Sequence, residues 1–418
     1  MDADVSVIGL GRVGLPLALS FADRGLHVIG VDNDPARIAC LADGRMPFAE
    51  PGAQELLTRV LAAGTFSTSQ VATDAARARD IVLTLGTPSF SHIEIDMRDI
   101  RSVLDDLLPV LEPGHGIVLR STIAPGTTEF VAGYLAKHRD FAIGEDVFVT
   151  HAPERIAAGR FLEEIDTLPC IIGGVGERSG ERTAALFSVF AAPIVQTTPV
   201  QAELAKIWTN ILRYTQFALP NLLMMDCEQY GANVFDVIDL INRDYPRGGM
   251  AAPGLTAGTC LRKDFAFSEE KSNAPGMLLA VSRVNESVPL FLVQGMTRRL
   301  GSLNGRKVAV LGLAFKRDTD DERDSLAHKL IRLLERELAD IAVHDPHVPS
   351  PTTSFEQAVD GADAVVVATN HSDFSRPDAL QAVTERAADD CLVVDPWNAF
   401  GVGQVFAYAS EIAVLAAR

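Results

Sequence analysis

The N-terminal segment constrains the fold of this chain more than any other part of the sequence. The apolar run Asp4–Leu10 predicts a buried strand, and the periodicity of Leu15–Arg24 predicts a helix directly after it. A second buried strand is predicted at His27–Asp32. Strands that alternate with helices form parallel sheets covered on both faces, so the chain is predicted to begin with an α/β domain.

The loop between that first strand and first helix has the glycine pattern GLGRVG. Gly9 permits a tight turn, Gly11 lets a pyrophosphate approach the backbone, and Gly14 allows the helix to pack closely on the strand. The N-terminus of the helix is then available to the phosphates. The predicted cofactor-binding residues of this loop are Gly9, Gly11, Arg12, Val13 and Gly14.

The acid at the end of the second strand completes the dinucleotide-binding pattern. Asp32 stands where a carboxylate accepts hydrogen bonds from the adenosine ribose and repels a 2′-phosphate, which favours NAD over NADP. Arg37 is close enough to meet a phosphate or the ribose, and a solvated arginine is an equal alternative. A glycine turn that binds nothing is disfavoured, because strand, glycines, helix, second strand and acid occur together.

The rest of the chain divides into segments, and the predicted domains are residues 1–198, 199–300 and 301–418. Further strands of the first domain are predicted at Asp80–Gly86, Gly116–Thr122 and Asp146–Glu154. Strands of the third domain are predicted within Gly305–Phe315 and at Ile341–Asp345, Ala364–Thr369 and Cys391–Asp395. The predicted fold class is α/β, with two Rossmann-like, doubly wound parallel-sheet domains joined by a helical region.

The middle segment, Val200–Arg298, is mostly helical in pattern. Its longest predicted helix, Ala202–Ala232, is apolar along one face and too long for the surface of a small domain. It either pairs with a copy of itself in a homodimer or forms a domain-linking core helix. Pro220 lies inside it and predicts a kink.

Charge and cysteine content narrow the functional class. The net charge of −18 over 418 residues argues against nucleic acid or a membrane surface as partner. No apolar run reaches membrane-spanning length, and the N-terminus is a predicted strand, so we expect a cytoplasmic protein. The five cysteines form no CxxC pair and predict reduced thiols without a metal site. They are Cys40, Cys170, Cys227, Cys260 and Cys391.

The loop GLTAGTCLRKD (Gly254–Asp264) contains one of those cysteines among small residues. Lys263 and Asp264 follow Cys260 at positions i+3 and i+4, so in a helix they lie on its side. A nearby cation favours the reactive thiolate. Cysteine is, however, more often a small buried structural residue, and the residues of the loop alone leave both interpretations open.

Seven segments in one order along the whole chain resemble the UDP-glucose/GDP-mannose 6-dehydrogenases, NAD-dependent enzymes that oxidise C6 of a nucleotide sugar twice. They are GLGRVGLPLA (Gly9–Ala18), GTP (Gly86–Pro88), STIAPGTT (Ser121–Thr128), APERIAAG (Ala152–Gly159), AELAKIWTN (Ala202–Asn210), PGLTAGTCLRKD (Pro253–Asp264) and VLGLAFKRDTDDERDS (Val310–Ser325). The resemblance implies a small-molecule nucleotide-sugar substrate and a homodimer.

The resemblance also implies covalent chemistry at Cys260. A thiolate there would trap the aldehyde from the first oxidation as a thiohemiacetal, and the second oxidation would give a thioester. Lys206 and Asn210, one helical turn apart, would stabilise the developing oxygen charge. Lysine on an apolar helix face is costly, so we expect Lys206 to be buried and functional.

Two carboxylates and a threonine complete the implied catalytic set. Asp264 would take the first proton through a water, and Glu154 would activate the hydrolytic water. Thr122 would hold that water or touch the nicotinamide. An ion pair between Glu154 and Arg155 is the structural alternative for that carboxylate.

Further contacts follow from the same resemblance. Implied cofactor contacts are Thr87, Pro88, Thr122, Lys263 and Arg323. Implied substrate contacts are Glu154, Arg155, Lys206, Asn210, Arg247, Gly254, Gly258 and Lys316. Arg247 would reach the sugar across the dimer interface, with a solvated arginine as the alternative. Lys316 and Arg323 would otherwise belong to a surface salt network with Asp318, Asp320 and Asp321, which contributes little.

The sugar is less constrained than the reaction. Ala257 and Thr259 stand where many relatives have glycine, and their side chains narrow the space near the cysteine. Pro153–Gly174 looks closer to the branch acting on UDP-N-acetylhexosamines, especially UDP-N-acetylmannosamine, whereas the LRKD sequence is typical of UDP-glucose and GDP-mannose enzymes. A two-electron β-hydroxyacid dehydrogenase and a non-catalytic nucleotide-sugar-binding protein are the alternative functions.

Overall fold

A computed structural model describes residues 2–86, 98–256, 258, 260–269 and 276–416 of the chain. The chain divides into two compact units, a first unit of residues 1–209 and 266–271 and a second unit of residues 210–265 and 272–418. Four residues singled out from the sequence, Thr87, Pro88, Ala257 and Thr259, lie outside the described residues. No helix among the described residues is long and apolar enough to cross a membrane.

The first unit is built on an eight-stranded sheet. Its strands are β1 (Ala3–Ile8), β2 (Val28–Val31), β3 (Phe66–Ser69), β4 (Ala78–Leu83), β5 (Gly116–Leu119), β6 (Phe148–His151), β7 (Cys170–Gly174) and β8 (Ile194–Thr197). The strand order is β3-β2-β1-β4-β5-β6-β7-β8, and neighbours are parallel except for the antiparallel pair β6 and β7. The five strands predicted from apolar runs are confirmed, and so is the predicted parallel sheet, to which the β6–β7 pair adds one antiparallel neighbour.

Both faces of the first sheet are covered, which explains why its strands are continuous apolar runs. Its helices are α1 (Gly14–Asp23), α2 (Pro35–Ala42), α3 (Ala53–Ala63), α4 (Arg98–Leu107), α5 (Thr127–Arg139), α6 (Phe161–Glu164) and α7 (Glu177–Phe187), with a 3-10 helix at Ala72–Arg77. Along β4, Val82 packs into one apolar core, whereas Ile81 and Leu83 pack into the core on the opposite face.

A single long helix, α8 (Pro199–Tyr230), follows the first sheet and confirms the helix predicted at Ala202–Ala232. The boundary between the two units falls within it, after Thr209. Pro220 lies inside the helix, and a kink there stays a prediction. Exposed large apolar side chains recur along α8 at Val200, Leu204, Trp208, Leu212, Leu219 and Leu222.

The remaining helices are α9 (Val234–Asn242), α10 (Leu261–Asp264), α11 (Ala266–Glu269), α12 (Met277–Leu300), α13 (Leu326–Arg336), α14 (Phe355–Val359), α15 (Pro377–Arg386) and α16 (Ala409–Ala416), with a 3-10 helix at Ser372–Ser375. Of these, α11 belongs to the first unit and the others lie mainly or wholly in the second. In the second unit, Met224 of α8 and Val288 and Leu292 of α12 share one apolar core with Val308 and Val310. The central helices are therefore packed onto the second sheet, and the three predicted domain boundaries stay a prediction.

The second sheet has five strands, β9 (Lys307–Leu311), β10 (Asp340–His344), β11 (Ala364–Val367), β12 (Leu392–Val394) and β13 (Phe406–Tyr408). Their order is β10-β9-β11-β12-β13, and all neighbours are parallel except β12 and β13. The four predicted strands are confirmed. The antiparallel β13 was not predicted, because three residues are too short for a periodic signal.

The two sheets share one local hydrogen bond at the end of their first strands, from a backbone N–H to an aspartate carboxylate. In the first unit, Leu10 N donates to Asp32 Oδ2 at 2.6 Å. In the second unit, Leu313 N donates to Asp345 Oδ2 at 2.6 Å. Each aspartate directly follows the neighbouring strand. A carboxylate that accepts backbone N–H groups holds the loop after the central strand, which is where ligands of α/β sheets bind.

A pair of glycine substitutions tests the turn after β9. Gly312 has φ +96°, and a Cβ there would lie 2.5 Å from Thr369 Cβ, whereas Gly305 has φ +70° with nothing within 4 Å of such a Cβ. Both alanine variants carry a left-handed backbone cost of roughly 1–2 kcal/mol. We expect the free energy of unfolding of Gly312→Ala to fall by roughly 1–3 kcal/mol more than that of Gly305→Ala, because the added methyl group also overpacks the core.

The measurement is the midpoint of urea unfolding for both variants beside the parent chain. Equal midpoints for Gly312→Ala and Gly305→Ala would contradict the close approach at Thr369.

Candidate active site

The glycine loop of the first unit has two glycines that the protein itself requires and one that it does not. Gly9 has φ +95°, and a Cβ on Gly14 would lie 1.9 Å from the carbonyl oxygen of Gly9. A Cβ on Gly11 would meet nothing within 4 Å. The open side of Gly11 is the space that the pyrophosphate of a dinucleotide needs, so the loop fits NAD.

The residues beside those glycines lie as a cofactor loop requires. Val13 directly precedes the first residue of α1. The Arg12 guanidinium lies over the ring of Phe48, 5.1 Å from its centroid. The loop therefore leads straight into the N-terminus of a ten-residue helix, which favours negative charge.

Asp32 is almost fully buried at the end of β2, as the ribose-binding role requires. Its Oδ2 accepts from Leu10 N at 2.6 Å and from Arg37 Nη1 at 2.7 Å, and its Oδ1 accepts from Asp34 N at 2.9 Å. A carboxylate offers about four acceptor positions, so one remains for a ligand hydroxyl. Arg37 is thus ion-paired with Asp32, and its contact with the cofactor stays a prediction.

Cys260 lies exposed at the turn that begins α10 in the second unit. Its carbonyl oxygen accepts from Asp264 N at 2.9 Å and from Lys263 N at 3.3 Å. The pKa of Arg323 is raised, mainly by its hydrogen bonds to Asp321 and in smaller part by the charge of Cys260. The structure therefore places a guanidinium within electrostatic range of this thiol.

The carboxylate of Asp264 is fully buried beneath that turn. Its Oδ2 accepts from Asn210 Nδ2 of α8 at 2.6 Å, and its Oδ1 pairs with Lys263 Nζ at 2.9 Å. The structure thus brings together three residues predicted for the site. Because Lys263 is held by this pair, its predicted contact with the cofactor stays a prediction.

Two glycines seat the cysteine loop on aromatic rings of the second unit. A Cβ on Gly254 would lie 2.3 Å from the indole of Trp397, and one on Gly258 would lie 2.6 Å from the ring of Phe315. The ring of Trp397 is fixed in turn by a hydrogen bond from its Nε1 to Ala368 O at 3.0 Å. These glycines are required for close packing, whatever ligand they also meet.

A chain of buried amides, which was not predicted from the sequence, also holds this loop. Asn221 Oδ1 accepts from Gly254 N at 2.8 Å, and Asn221 Nδ2 donates to Asn285 Oδ1 at 2.9 Å. Asn285 Nδ2 donates to the carbonyl oxygen of Tyr214 at 3.1 Å. An asparagine at an apolar helix position was the available signal, because a buried amide must find partners.

Glu154 of the first unit is buried, and its ion-pair partner is Arg120 rather than Arg155. Glu154 Oε2 accepts from Arg120 Nη2 at 2.6 Å, whereas Arg155 donates through its side chain to the carbonyl oxygen of Pro169. The expected alternative of a Glu154–Arg155 side-chain ion pair is therefore wrong. An arginine within the apolar run of β5 and its extension was the signal for Arg120, because a buried charge needs a partner.

The region around Lys206 is held by a buried glutamate three residues earlier. Glu203 accepts from Gly126 N at 2.7 Å and from Thr128 N at 2.8 Å, at the N-terminus of α5. Lys206 itself is half-buried. The expectation of a buried lysine is therefore wrong, because part of the side chain is exposed. Burial lowers the pKa of His151 to about 3, with a smaller contribution from the positive charge of Lys206. Thr122 is half-buried beyond β5.

The predicted substrate cations of the second unit differ in exposure. Arg247 is exposed, and its guanidinium lies 4.7 Å from the ring centroid of Tyr245. Lys316 is half-buried. Arg323 forms two hydrogen bonds to the buried carboxylate of Asp321, at 2.9 and 2.7 Å, so part of the expected salt network exists.

One group of histidine and acid side chains in the described part of the chain is close enough to hold a metal: Asp318, His347 and His371. His371 is fully buried, and both of its ring nitrogens are engaged. Its Nδ1 lies 2.9 Å from the donor Asp318 N, and its Nε2 lies 3.0 Å from Asp345 Oδ2. With His371 committed to protein partners, the cluster forms a hydrogen-bond network that joins loops after β9, β10 and β11.

The predicted catalytic residues divide between the two units. Thr122, Glu154 and Lys206 belong to the first, and Asn210, Cys260 and Asp264 to the second. Within the second unit they form one hydrogen-bonded group around Cys260 and Asp264. Within the first unit Glu154 forms its own group with Arg120.

Comparison with known proteins gives a match along most of the chain. The NAD binding, central and UDP binding domains of the UDP-glucose/GDP-mannose dehydrogenase family match residues 3–191, 200–287 and 309–401. The UDP-N-acetyl-D-mannosamine dehydrogenase of Pyrococcus horikoshii is 33% identical over 378 residues, which cover 88% of this chain and 90% of that protein. The NDP-N-acetyl-D-galactosaminuronic acid dehydrogenase of Ralstonia solanacearum is 28% identical, covering 90% and 92%.

A solved structure agrees with these matches. That of UDP-D-ManNAc dehydrogenase from Pyrococcus horikoshii superposes with a TM-score of 0.88 at 30% identity, covering 95% of this chain and 96% of that one. The likeness extends over both sheets and the helices between them.

Gly11→Ala separates a ligand requirement from a folding requirement. Because a Cβ at Gly11 meets no protein atom within 4 Å, we expect unchanged thermal unfolding without NAD. NAD affinity, measured by calorimetric titration, should fall roughly tenfold or more, since the methyl group occupies space needed by the pyrophosphate.

Gly133→Ala is the matched control, because Gly133 lies in α5 and a Cβ there also meets nothing within 4 Å. This control should bind NAD like the parent chain. Parent-like affinity in Gly11→Ala would show that the cofactor does not approach this loop.

Proposed function

Because the chain belongs to the UDP-glucose/GDP-mannose dehydrogenase family, it is an NAD-dependent nucleotide-sugar dehydrogenase, and we propose that it oxidises the C6 alcohol of UDP-N-acetylmannosamine to a carboxylate. The observation that carries the proposal is the group of Asn210, Lys263 and Asp264 at the base of the Cys260 turn. That group puts a thiol, a buried carboxylate and an amide donor within one short stretch of structure.

NAD, when bound, supplies a hydride acceptor for each of the two oxidations. The open backbone at Gly11 and the remaining acceptor position on Asp32 are the features that suit it. Thr122, Lys263 and Arg323 are proposed to complete its contacts on the nicotinamide side.

The first oxidation converts the alcohol to an aldehyde. The hydroxyl proton passes through a water to Asp264, whose carboxylate is kept in place by Asn210 and Lys263. Lys206 and Asn210 stabilise the negative charge that develops on the substrate oxygen. This step needs no covalent bond between protein and substrate.

The second oxidation runs through Cys260. Its thiolate adds to the aldehyde carbon to give a thiohemiacetal, and removal of a second hydride gives a thioester. Exposure of this cysteine supports the role, because a nucleophile has to reach its substrate. Water, activated by Glu154, then hydrolyses the thioester to the carboxylate and restores the thiol.

The substrate is proposed from the relatives and from the segment after Glu154. The Pyrococcus horikoshii relative is named for UDP-N-acetyl-D-mannosamine, and Pro153–Gly174 resembles that branch. UDP-glucose is the runner-up, because the LRKD sequence at Leu261–Asp264 is typical of enzymes that act on it. For either substrate, we propose that the methyl groups of Ala257 and Thr259 restrict the space around the sugar.

Substrate contacts are proposed on both sides of the cysteine loop. Gly254 and Gly258 offer backbone at a loop already seated on aromatic rings. Lys316 follows one of those rings, Phe315, and its charge suits a diphosphate. Arg155 and Arg247 are proposed to meet the sugar, and residues 301–418 to form the nucleotide-binding domain.

A homodimer is proposed through helix α8. Leu212, Leu219 and Leu222 are 59%, 54% and 46% exposed on this one helix, although each is fully apolar. Burial of a leucine is worth about 1.5–3 kcal/mol, and a matching copy of the helix would supply it. Arg247 would then contact the sugar of the partner subunit.

The stoichiometry of NADH tests the reaction, and a substrate panel tests the sugar. We expect two NADH per UDP-N-acetylmannosamine consumed, because alcohol to carboxylate removes four electrons. UDP-glucose, UDP-N-acetylglucosamine, UDP-galactose and GDP-mannose are the comparison substrates. The amount of NADH is measured by its absorbance in reactions in which the UDP-sugar is the limiting reactant. The product is identified by mass spectrometry.

One NADH per sugar would instead indicate a two-electron dehydrogenase. Binding of a UDP-sugar without NADH across the whole panel would indicate a non-catalytic protein.

Sedimentation velocity tests the dimer. Leu212→Glu and Leu219→Glu should shift the chain from dimer to monomer, because each places a charge in the proposed apolar contact. Val71→Glu is the control, since Val71 is 54% exposed but lies before the 3-10 helix Ala72–Arg77. A parent chain that sediments as a monomer would contradict the dimer directly.

A further inference from the structure

We propose that Arg120 is a positioning residue that holds the Glu154 carboxylate ready for thioester hydrolysis. The inference rests on the proposed function, since it assumes an acyl group on Cys260. It assigns a role in the reaction to a buried arginine that was not singled out from the sequence.

Arg120 and Glu154 are joined by two hydrogen bonds, one donated by each residue. Arg120 Nη2 donates to Glu154 Oε2 at 2.6 Å, and Glu154 N donates back to the carbonyl oxygen of Arg120 at 3.1 Å. Both side chains are nearly fully buried, at 4% and 8% exposure. Removing one charged partner of a buried ion pair leaves an uncompensated charge, so the position of each of these side chains depends on the other.

The guanidinium is itself fixed from other sides. Arg120 Nη1 donates to Ala152 O at 2.9 Å, and the guanidinium lies 5.0 Å from the ring centroid of Phe187. Arg120 therefore joins the end of β5 to the segment after β6 that carries Glu154. A lysine offers a single point of charge and would not span the carboxylate and the carbonyl with the same planar fork.

The N–H group at Nε of the guanidinium is buried without a hydrogen-bond partner in the described part of the chain. Beside it lies a cavity of about 20 Å³ lined by residues that include Arg120, Glu154 and Cys170. That volume accommodates one water molecule, and the polar lining gives it partners. A water there would satisfy Nε and complete the support of the ion pair.

The acceptor count on Glu154 leaves room for the reaction. Its Oε1 accepts from Arg155 N and Ile156 N, each at 2.7 Å, and its Oε2 accepts from Arg120. Of about four acceptor positions on a carboxylate, one on Oε2 remains. Because three bonds prevent rotation, that position has a fixed direction and can hold one water.

The step that this geometry serves is the last one. The water oxygen bonds to the acyl carbon, and one water proton passes to Glu154. The carbon–sulfur bond breaks, and its electron pair leaves with the sulfur of Cys260 as thiolate. The acid product then ionises, and Glu154 returns its proton to solvent.

Arg120→Met tests the assignment, because methionine keeps an apolar stem of similar length but removes the fork. We expect formation of the first NADH to stay close to the parent rate and acid formation to slow roughly 10- to 100-fold. The acyl group should then accumulate on Cys260. It is measured as the mass increase of the intact protein after acid quenching of a reaction with UDP-N-acetylmannosamine and NAD.

Arg24→Met is the matched control. Arg24 also pairs with a carboxylate, Asp166, and lies over a neighbouring ring, Phe190, at 4.7 Å. It makes no contact with Glu154 among the described bonds, so its loss should leave acyl accumulation at the parent level. Glu154→Gln is the positive control and should accumulate the same adduct as Arg120→Met.

The outcomes separate the inference from the function on which it rests. An adduct in Glu154→Gln but not in folded Arg120→Met overturns the role of Arg120. No adduct in Glu154→Gln, with acid formed at the parent rate, overturns the role of Glu154 in hydrolysis, whereas no adduct with an aldehyde as the product overturns the proposed thioester. If Arg120→Met does not fold, Arg120→Lys decides by the same measurement, since it keeps the charge and loses the fork; parent-like acid formation there would overturn the proposal.

Discussion

The buried carboxylate of Asp264 is the interaction on which the candidate site depends. An ionised carboxylate without water is tolerated only when charged and hydrogen-bonding groups surround it. Asn210 of the long helix and Lys263 supply those groups, at 2.6 and 2.9 Å. Lys263 belongs to the same turn as Asp264, so the bond that ties this turn to the long helix is the one from Asn210. Loss of Asn210 would leave a buried carboxylate oxygen without its partner, which costs about 1–3 kcal/mol.

The rest of the loop is fixed by shape. Gly254 and Gly258 press against aromatic rings with no space for a side chain, and Asn221 holds the backbone of the first of them. Among the described residues of this loop, these contacts leave Cys260 exposed for chemistry. A covalent mechanism needs such a combination, because the nucleophile has to be accessible while its surroundings are rigid.

Much of this architecture could be predicted from the sequence, and the reason is local order. Asp32 and the glycines of the first loop are separated by a strand and a helix of standard length, so their meeting follows from the pattern. The placement of Lys263 and Asp264 beside Cys260 followed from helical spacing, whereas Asn210 and the catalytic role of Asp264 came from resemblance to a family. Arg120 and the Asn221–Asn285 pair were missed because their partners are distant in sequence or sit inside apolar helices. Short strands such as β13 carry too few residues for a periodic signal.

The central claim is that Cys260 forms a bond to the substrate between the two oxidations, and a single turnover of Cys260→Ala tests it most directly. Enzyme in excess over UDP-N-acetylmannosamine, with NAD, is followed by NADH absorbance and the product is identified by mass. The account predicts one NADH per sugar and an aldehyde product. Two NADH per sugar and a carboxylate from this variant would contradict it.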